Sequence, residues 1–225
     1  MERLYTTLSE IVDQELPAEQ LECYFVKVAK LLLLQSKLRA GNKSYQLLEI
    51  EFYFHAGEFH PDPYSHFSQY PNSVKQKQSI IGSWYFHRFT GMKNYTHTRR
   101  GVDLTFGNGD ENRYGGILIR TIKEMDGVKV ISGPSRVVAE LIDAVDHPEH
   151  LERIAFDTER QLAFDNQSML HLEALMPPLT ADLYRSKRFG LGDKNLEYRE
   201  KAYRFFTDLS AIRRSKDFQY VRVSQ

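Results

Sequence analysis

Two glutamates set inside an apolar run are the residues of this chain best suited to chemistry. The run is Leu47-Leu48-Glu49-Ile50-Glu51-Phe52-Tyr53-Phe54. Its aliphatic and aromatic residues fit a packed strand. A carboxylate in such surroundings is costly unless it is paired, protonated or used. Glu49, Glu51 and Tyr53 are spaced by two, so they point to one side of a strand. A carboxylate there can act as a general base on water or stabilise a developing cation. The loop that follows, His55 to His66, is dense in histidine and acid. An edge strand with its acids in water has the same signature, and the strand alone does not separate the two.

Composition removes several chemistries. His55, His60 and His66 are spaced by five and six, which matches no standard zinc pattern, so no metal is expected. No other cofactor is expected either. The single cysteine, Cys23, excludes a disulfide framework and the Pro-Cys-x-x-Cys site of a zinc nucleobase deaminase. One cysteine also fits a reducing compartment, so a cytoplasmic protein is expected. Thirty basic residues balance thirty acidic ones, so a polyanion partner must be decided by local patches. The apolar run Leu31 to Leu34 is too short to span a membrane. No signal peptide is visible at the start. At 225 residues a single domain is expected.

The elements that must position the acids follow from periodicity. Residues 3–15 carry a helical pattern. Pro17 starts a second helix with its stripe at Leu21, Phe25, Val28, Leu31 and Leu32, ended by Gly41 and Asn42. Strands are expected at 45–54, 80–89, 102–106 and 115–123. A long loop lies at 55–79, and a glycine-bracketed basic loop at 90–101. Gly133-Pro134-Ser135-Arg136 opens a helix, and another is expected near 147–156. Residues 169–175 and 218–223 suggest short strands. Residues 184–192 form a basic strand or turn, and 196–206 a helix or an extended aromatic segment. Helices and strands mix without regular alternation, which predicts an α+β fold: a curved antiparallel sheet with surrounding helices.

Several of these stretches, in this order, resemble the alkyladenine (3-methyladenine) DNA glycosylases. They are Glu49-Ile50-Glu51-Phe52-Tyr53, Ser65-His66, Gly82-Ser83-Trp84-Tyr85-Phe86-His87, Gly91-Met92, Ile117-Leu118-Ile119-Arg120 and Gly133-Pro134-Ser135-Arg136. The match runs over about 20–205. The resemblance implies a curved antiparallel sheet and a monofunctional N-glycosylase that flips a modified base out of double-stranded DNA. Glu51 would activate the hydrolytic water, with Arg120 beside it. Tyr53, His66, His87 and Asp103 would line the base pocket. Met92, Tyr95, Arg99 and Arg100 would enter the minor groove. Ser135 and Arg136, at a helix start, and Lys187 and Arg188 would hold phosphates. A monomer without membrane association is expected.

Three positions depart from the family. His87 stands where it has a second stacking tyrosine, Thr90 where it has the intercalating one, and Asp103 where it has an asparagine that rejects guanine. These changes imply a more polar pocket and an alternative substrate, a bulky hypermodified base of phage DNA, which would make the protein an antiviral defence enzyme. A catalytically silent nucleic-acid-binding module of the same fold is the other alternative. A glycosylase-lyase is disfavoured because no lysine lies in the proposed strand. Tyr53 and Trp84 suit a core as well as a pocket. Arg99-Arg100 and Arg185 to Arg188 also suit a solvated face.

Overall fold

The structure, a computed structural model, describes residues 1–65, 78–87, 101–145 and 161–224. It is an open antiparallel sheet with a few helices, an α+β fold. Two helices come first, α1 (Glu2–Asp13) and α2 (Ala18–Gln35). The strands are β1 (Ser36–Ala40), β2 (Lys43–Ala56), β3 (His60–Pro61), β4 (Trp84–Phe86), β5 (Val102–Thr105), β6 (Arg113–Glu124) and β7 (Val130–Ser132). Helix α3 (Pro134–Val145) follows, then β8 (Leu170–Ala174), β9 (Tyr184–Ser186), α4 (Leu196–Glu200), β10 (Arg204–Phe206) and β11 (Val221–Arg222).

β2 is the axis of the sheet, whose path is β11-β9-β10-β2-β6-β5-β4. One edge of β2 pairs with β6 from Tyr45 to Ala56. The other edge is shared in turn by β1, β10 and β3. Ile50, Phe52 and Phe54 point into the apolar core with α2. The Phe25 and Phe52 rings stack with centroids 4.3 Å apart, and Phe54 stacks on Phe106 at 5.3 Å. Ring pairs of this kind add to the stabilisation from apolar burial.

Three sequence expectations are corrected. The second helix stops at Gln35, not at Gly41: the Ser36 hydroxyl donates to the Leu31 carbonyl, and residues 36–40 alternate buried and half-buried as a strand. Gly41, at φ +54°, turns that strand into β2, and a Cβ there would lie 2.3 Å from the Ala144 carbonyl oxygen. The strand expected over 80–89 is confined to Trp84–Phe86 among the described residues. Gly82, at φ +82°, breaks the extended backbone before it. Residues 196–206 divide into α4 and β10. The helix expected near 147–156 lies outside the described residues. Among those described, no helix is long and apolar enough to cross a membrane.

Candidate functional site

The site lies on the face of β2 opposite the apolar core. Its geometry starts from two compensating irregularities in the β2–β6 ladder. Leu47 faces Ile122, Glu49 faces Thr121 and Ile50 faces Ile119. Leu48 is therefore extra on β2 and Arg120 is extra on β6. Leu47 and Ile50 both reach the core, as do Ile119 and Ile122, so the alternation changes phase in each strand. A bulge re-aims a side chain in this way. Here it leaves Arg120 and Thr121, consecutive residues, both bonded to glutamates of β2.

Arg120 bridges the two glutamates. Its Nε donates to Glu49 Oε1 and its Nη1 to Glu51 Oε2, each at 3.0 Å. Arg204 from β10 donates to Glu49 Oε1 at 2.7 Å, and its Nε lies 4.0 Å from Glu51 Oε1. The Thr121 hydroxyl donates to Glu49 Oε2. All four charged groups are buried, with Glu51 fully enclosed. Burial opposes the charge on Arg120, but the carboxylates of Glu51 and Glu49 more than offset it and raise its pKa. Two acids and two guanidiniums together carry no net charge, which is what makes burial of four ionisable groups tolerable.

Among the described residues Glu51 accepts three hydrogen bonds. Oε2 accepts from Arg120 and from the Tyr53 hydroxyl at 2.7 Å, and Oε1 accepts from the Phe189 backbone N–H at 2.7 Å. A carboxylate offers about four acceptor positions, so the described residues leave one on Oε1 without a donor. Burial, and then the negative charge of Glu51, push the Tyr53 hydroxyl well above its usual pKa, so it remains a donor. The Phe189 ring covers the site, 5.3 Å from the Arg120 guanidinium and 5.4 Å from that of Arg204.

One row of directly paired residues crosses this face: Tyr85, Asp103, Leu118, Glu51, Arg204 and Ser186. Paired residues share a face, so Asp103 points to the same side as Glu51, on the second strand over. Asp103 is buried, and its Oδ2 accepts from Gln78 Nε2 at 3.3 Å. His87 Nε2 lies 2.8 Å from Asp103 Oδ1, a close approach without the ring N–H alignment of a hydrogen bond. A Cβ on Gly116 would lie 2.4 Å from Asp103 Oδ2, so any larger residue there would have to displace this carboxylate.

The structure thus brings Glu51, Arg120, Tyr53, Asp103 and His87 to one face. Tyr53 is half-buried, with the Arg188 guanidinium 4.7 Å from its ring centre. Ser135 and Arg136 are exposed in the first turn of α3, and the preceding Gly133 N–H donates to the Arg120 carbonyl at 2.8 Å. That helix start is therefore tied to the Arg120 bulge. His66, Met92, Tyr95, Arg99 and Arg100 lie outside the described residues.

Arg188 is corrected. It is no phosphate contact, because its side chain is fully enclosed. It makes two bonds to the Asp62 carboxylate, at 2.6 and 3.2 Å, and donates to the Phe52 and Tyr198 carbonyls. Lys187 is half-buried beside it and pairs with Glu200 at 3.3 Å. His60 is likewise structural. Its ring nitrogens meet the Phe54 carbonyl at 2.8 Å and the Tyr203 hydroxyl at 3.0 Å.

Sequence reasoning missed Arg204, Gln78 and Phe189. Arg204 had the same signal as the glutamates, a charge inside the apolar run Ala202 to Phe206. The contribution of Phe189 is a backbone N–H, which no side-chain pattern announces.

No protein-family model matches the chain. The chain is 29% identical over 206 residues to an uncharacterized protein of Acanthamoeba polyphaga mimivirus, covering 87% of this chain and 91% of that protein.

Proposed function

We propose that the chain is a monofunctional DNA N-glycosylase that flips a modified base from double-stranded DNA and hydrolyses its N-glycosidic bond. The observation that carries this reading is Glu51, oriented by Tyr53, Arg120 and the Phe189 N–H, on the same sheet face as the Asp103–His87 pair. Cleavage of a glycosidic bond develops positive charge on the sugar and needs a nucleophile opposite the leaving group. Glu51 Oε1 takes the proton of the attacking water, and its negative charge stabilises the sugar cation. Arg120 fixes the carboxylate from below. Tyr53 forms a wall of the base pocket. Ser135 and Arg136 hold a phosphate at the start of α3. The cross-sheet row through Glu51 carries no lysine, which supports water rather than an amine as the nucleophile.

The buried Asp103 with Gln78 and His87 favours a polar modified base over a simple alkylated purine. A decorated pyrimidine of phage DNA fits this description and gives the protein a defensive role. Mass spectrometry of bases released from alkylated, deaminated and phage-modified DNA tests both points. The expected result is one released modified base and an abasic site. Release of 3-methyladenine alone overturns the polar-base reading.

Complete enclosure of Glu51 also favours a second reading, a silent DNA-binding module in which the ion network is structural. Glu51→Gln separates the two. Under the enzymatic reading it abolishes release and preserves DNA binding, whereas under the second reading wild type and variant are equally inactive on every DNA.

A further inference from the structure

We infer that residues 189–191 form a lid over Glu51, closed in this structure, which swings away about Gly190 when a flipped nucleotide arrives. The inference rests on the glycosylase reading above. That reading requires Glu51 to meet water and a sugar, yet its side chain is fully enclosed. Part of the enclosure must therefore move, and the neighbours of Glu51 differ in their freedom to do so.

Most of the enclosure is fixed. Tyr53 is on β2 itself, Arg120 on the adjoining β6 and Arg204 on β10, and all three strands are held in the sheet by their ladders. Among the described groups that bond to Glu51, Phe189 alone lies outside a strand. Its N–H donates to Oε1 at 2.7 Å, and its ring lies over the Arg120 and Arg204 guanidiniums.

The segment is a short bridge between two posts. At one end Arg188 is locked by the Asp62 carboxylate and by the Phe52 and Tyr198 carbonyls. At the other the buried Tyr64 donates its hydroxyl to the Gly192 carbonyl at 2.6 Å. Between the posts Phe189 and Leu191 are half-buried and Gly190 is exposed. Gly190 stands at φ +74°, and a Cβ on it would meet no described atom within 4 Å. Lack of space does not call for a glycine here, so what it supplies is backbone freedom. A few residues that absorb a large change of φ and ψ are enough for a hinge. A cavity of about 150 Å³ adjoins the bridge, lined by Phe189, Gly190, Leu191, Arg204, Ser215 and Phe218, and gives the ring a place to move.

Opening frees the Oε1 position that the Phe189 N–H holds, on the oxygen that takes the proton of water. Oε2 keeps its bonds from Tyr53 and Arg120, so the carboxylate holds its orientation. The closed lid keeps water from the ion network until substrate binds, as lids over reacting centres do. The same closure lowers the apparent affinity for DNA by the fraction of molecules that are open.

The test places para-fluorophenylalanine at position 189 alone in the full chain and records its fluorine NMR. Spectra are taken without DNA, with an unmodified duplex, and with a duplex carrying one tetrahydrofuran abasic-site analogue, which presents a flipped sugar whatever the natural base. The analogue duplex at saturation is expected to shift the resonance, and the unmodified duplex to leave it in place. A resonance that the bound analogue duplex does not move overturns the lid, as does an equal shift with both duplexes. Gly190→Ala is strained at φ +74° and disfavours the closed form, so it is expected to tighten binding of the analogue duplex about tenfold. Unchanged or weaker binding overturns the hinge, and the fluorine result decides alone if this variant does not fold. If the protein binds no analogue duplex, the glycosylase reading falls and the lid with it. A fluorine shift without base release from any modified DNA sinks the glycosylase reading alone.

Discussion

The two faces of β2 are built by opposite rules. On one, Phe52 and Phe54 pack against Phe25 and Phe106, with Ile50 in the same apolar core. On the other, one residue away along the chain, Glu49 and Glu51 share Arg120 and Arg204. The first face tolerates any filling of equal volume and shape. The second depends on each member, because removing one charge strands another in a low-dielectric interior. The first holds the sheet together, and the second holds a carboxylate in one orientation.

That contrast can be broken experimentally. The largest effect is expected on the apolar face. Phe52→Ala removes a ring stacked on Phe25, and a loss of about 4 kcal/mol is expected from urea unfolding. On the polar face, Arg204→Met should cost about 3 kcal/mol, since it leaves Glu49 with less positive charge. A double-mutant cycle with Glu49→Leu sharpens the point. The pair should be coupled by about 2 kcal/mol, while Phe52 and Arg204 should be additive to within about 0.5 kcal/mol. Strong coupling between the faces would show that they are not independent.

The next effect depends on pH and lies away from both faces. Glu140 on α3 accepts from Lys43, Tyr45 and Lys129. Burial alone would raise its pKa, but the bonds from Lys129, Tyr45 and Lys43 outweigh that and lower it to about 2. A lowered carboxyl contributes stability above its ordinary value of 4.5, and that stability is lost as pH falls toward about 2. Glu140→Gln is expected to cost about 1–2 kcal/mol at neutral pH and to flatten the slope of stability against pH in that window. His60 has its pKa lowered, chiefly by burial, so its contribution is likewise lost as pH falls, starting near its ordinary value of 6.5. The smallest effect is expected at Lys187, whose ion pair with Glu200 is partly exposed. Lys187→Ala should change stability by less than about 0.5 kcal/mol.

The apolar face was legible in the sequence, since Phe52 and Phe54 alternate with polar partners at the spacing of a strand. The helix α2 was legible as well, though not its end. Leu31 to Leu34 continue the helical stripe, while Leu38 and Ala40 belong to strand spacing, and a pattern of apolar residues cannot mark the join at Ser36. Glu51, Tyr53 and Arg120 are candidates through the cost of a buried charge and the family resemblance, and the structure places them in hydrogen-bond contact. Their mutual geometry was not legible, because it depends on extra residues in two strands at once, Leu48 and Arg120. Arg188 misled for a related reason. A basic residue beside Lys187 looks solvated, and only the long-range partner Asp62, 126 positions away, reveals it as part of the interior.

The central claim is that Glu51 activates water for base release rather than only closing an ion network. The most direct measurement is the formation of abasic sites in phage-modified and alkylated DNA by wild type and by Glu51→Gln, alongside their DNA affinities. Wild type is expected to form abasic sites, and Glu51→Gln to lose about 10²-fold or more of that activity at closely similar affinity. Abasic sites formed equally well by both proteins would contradict the claim.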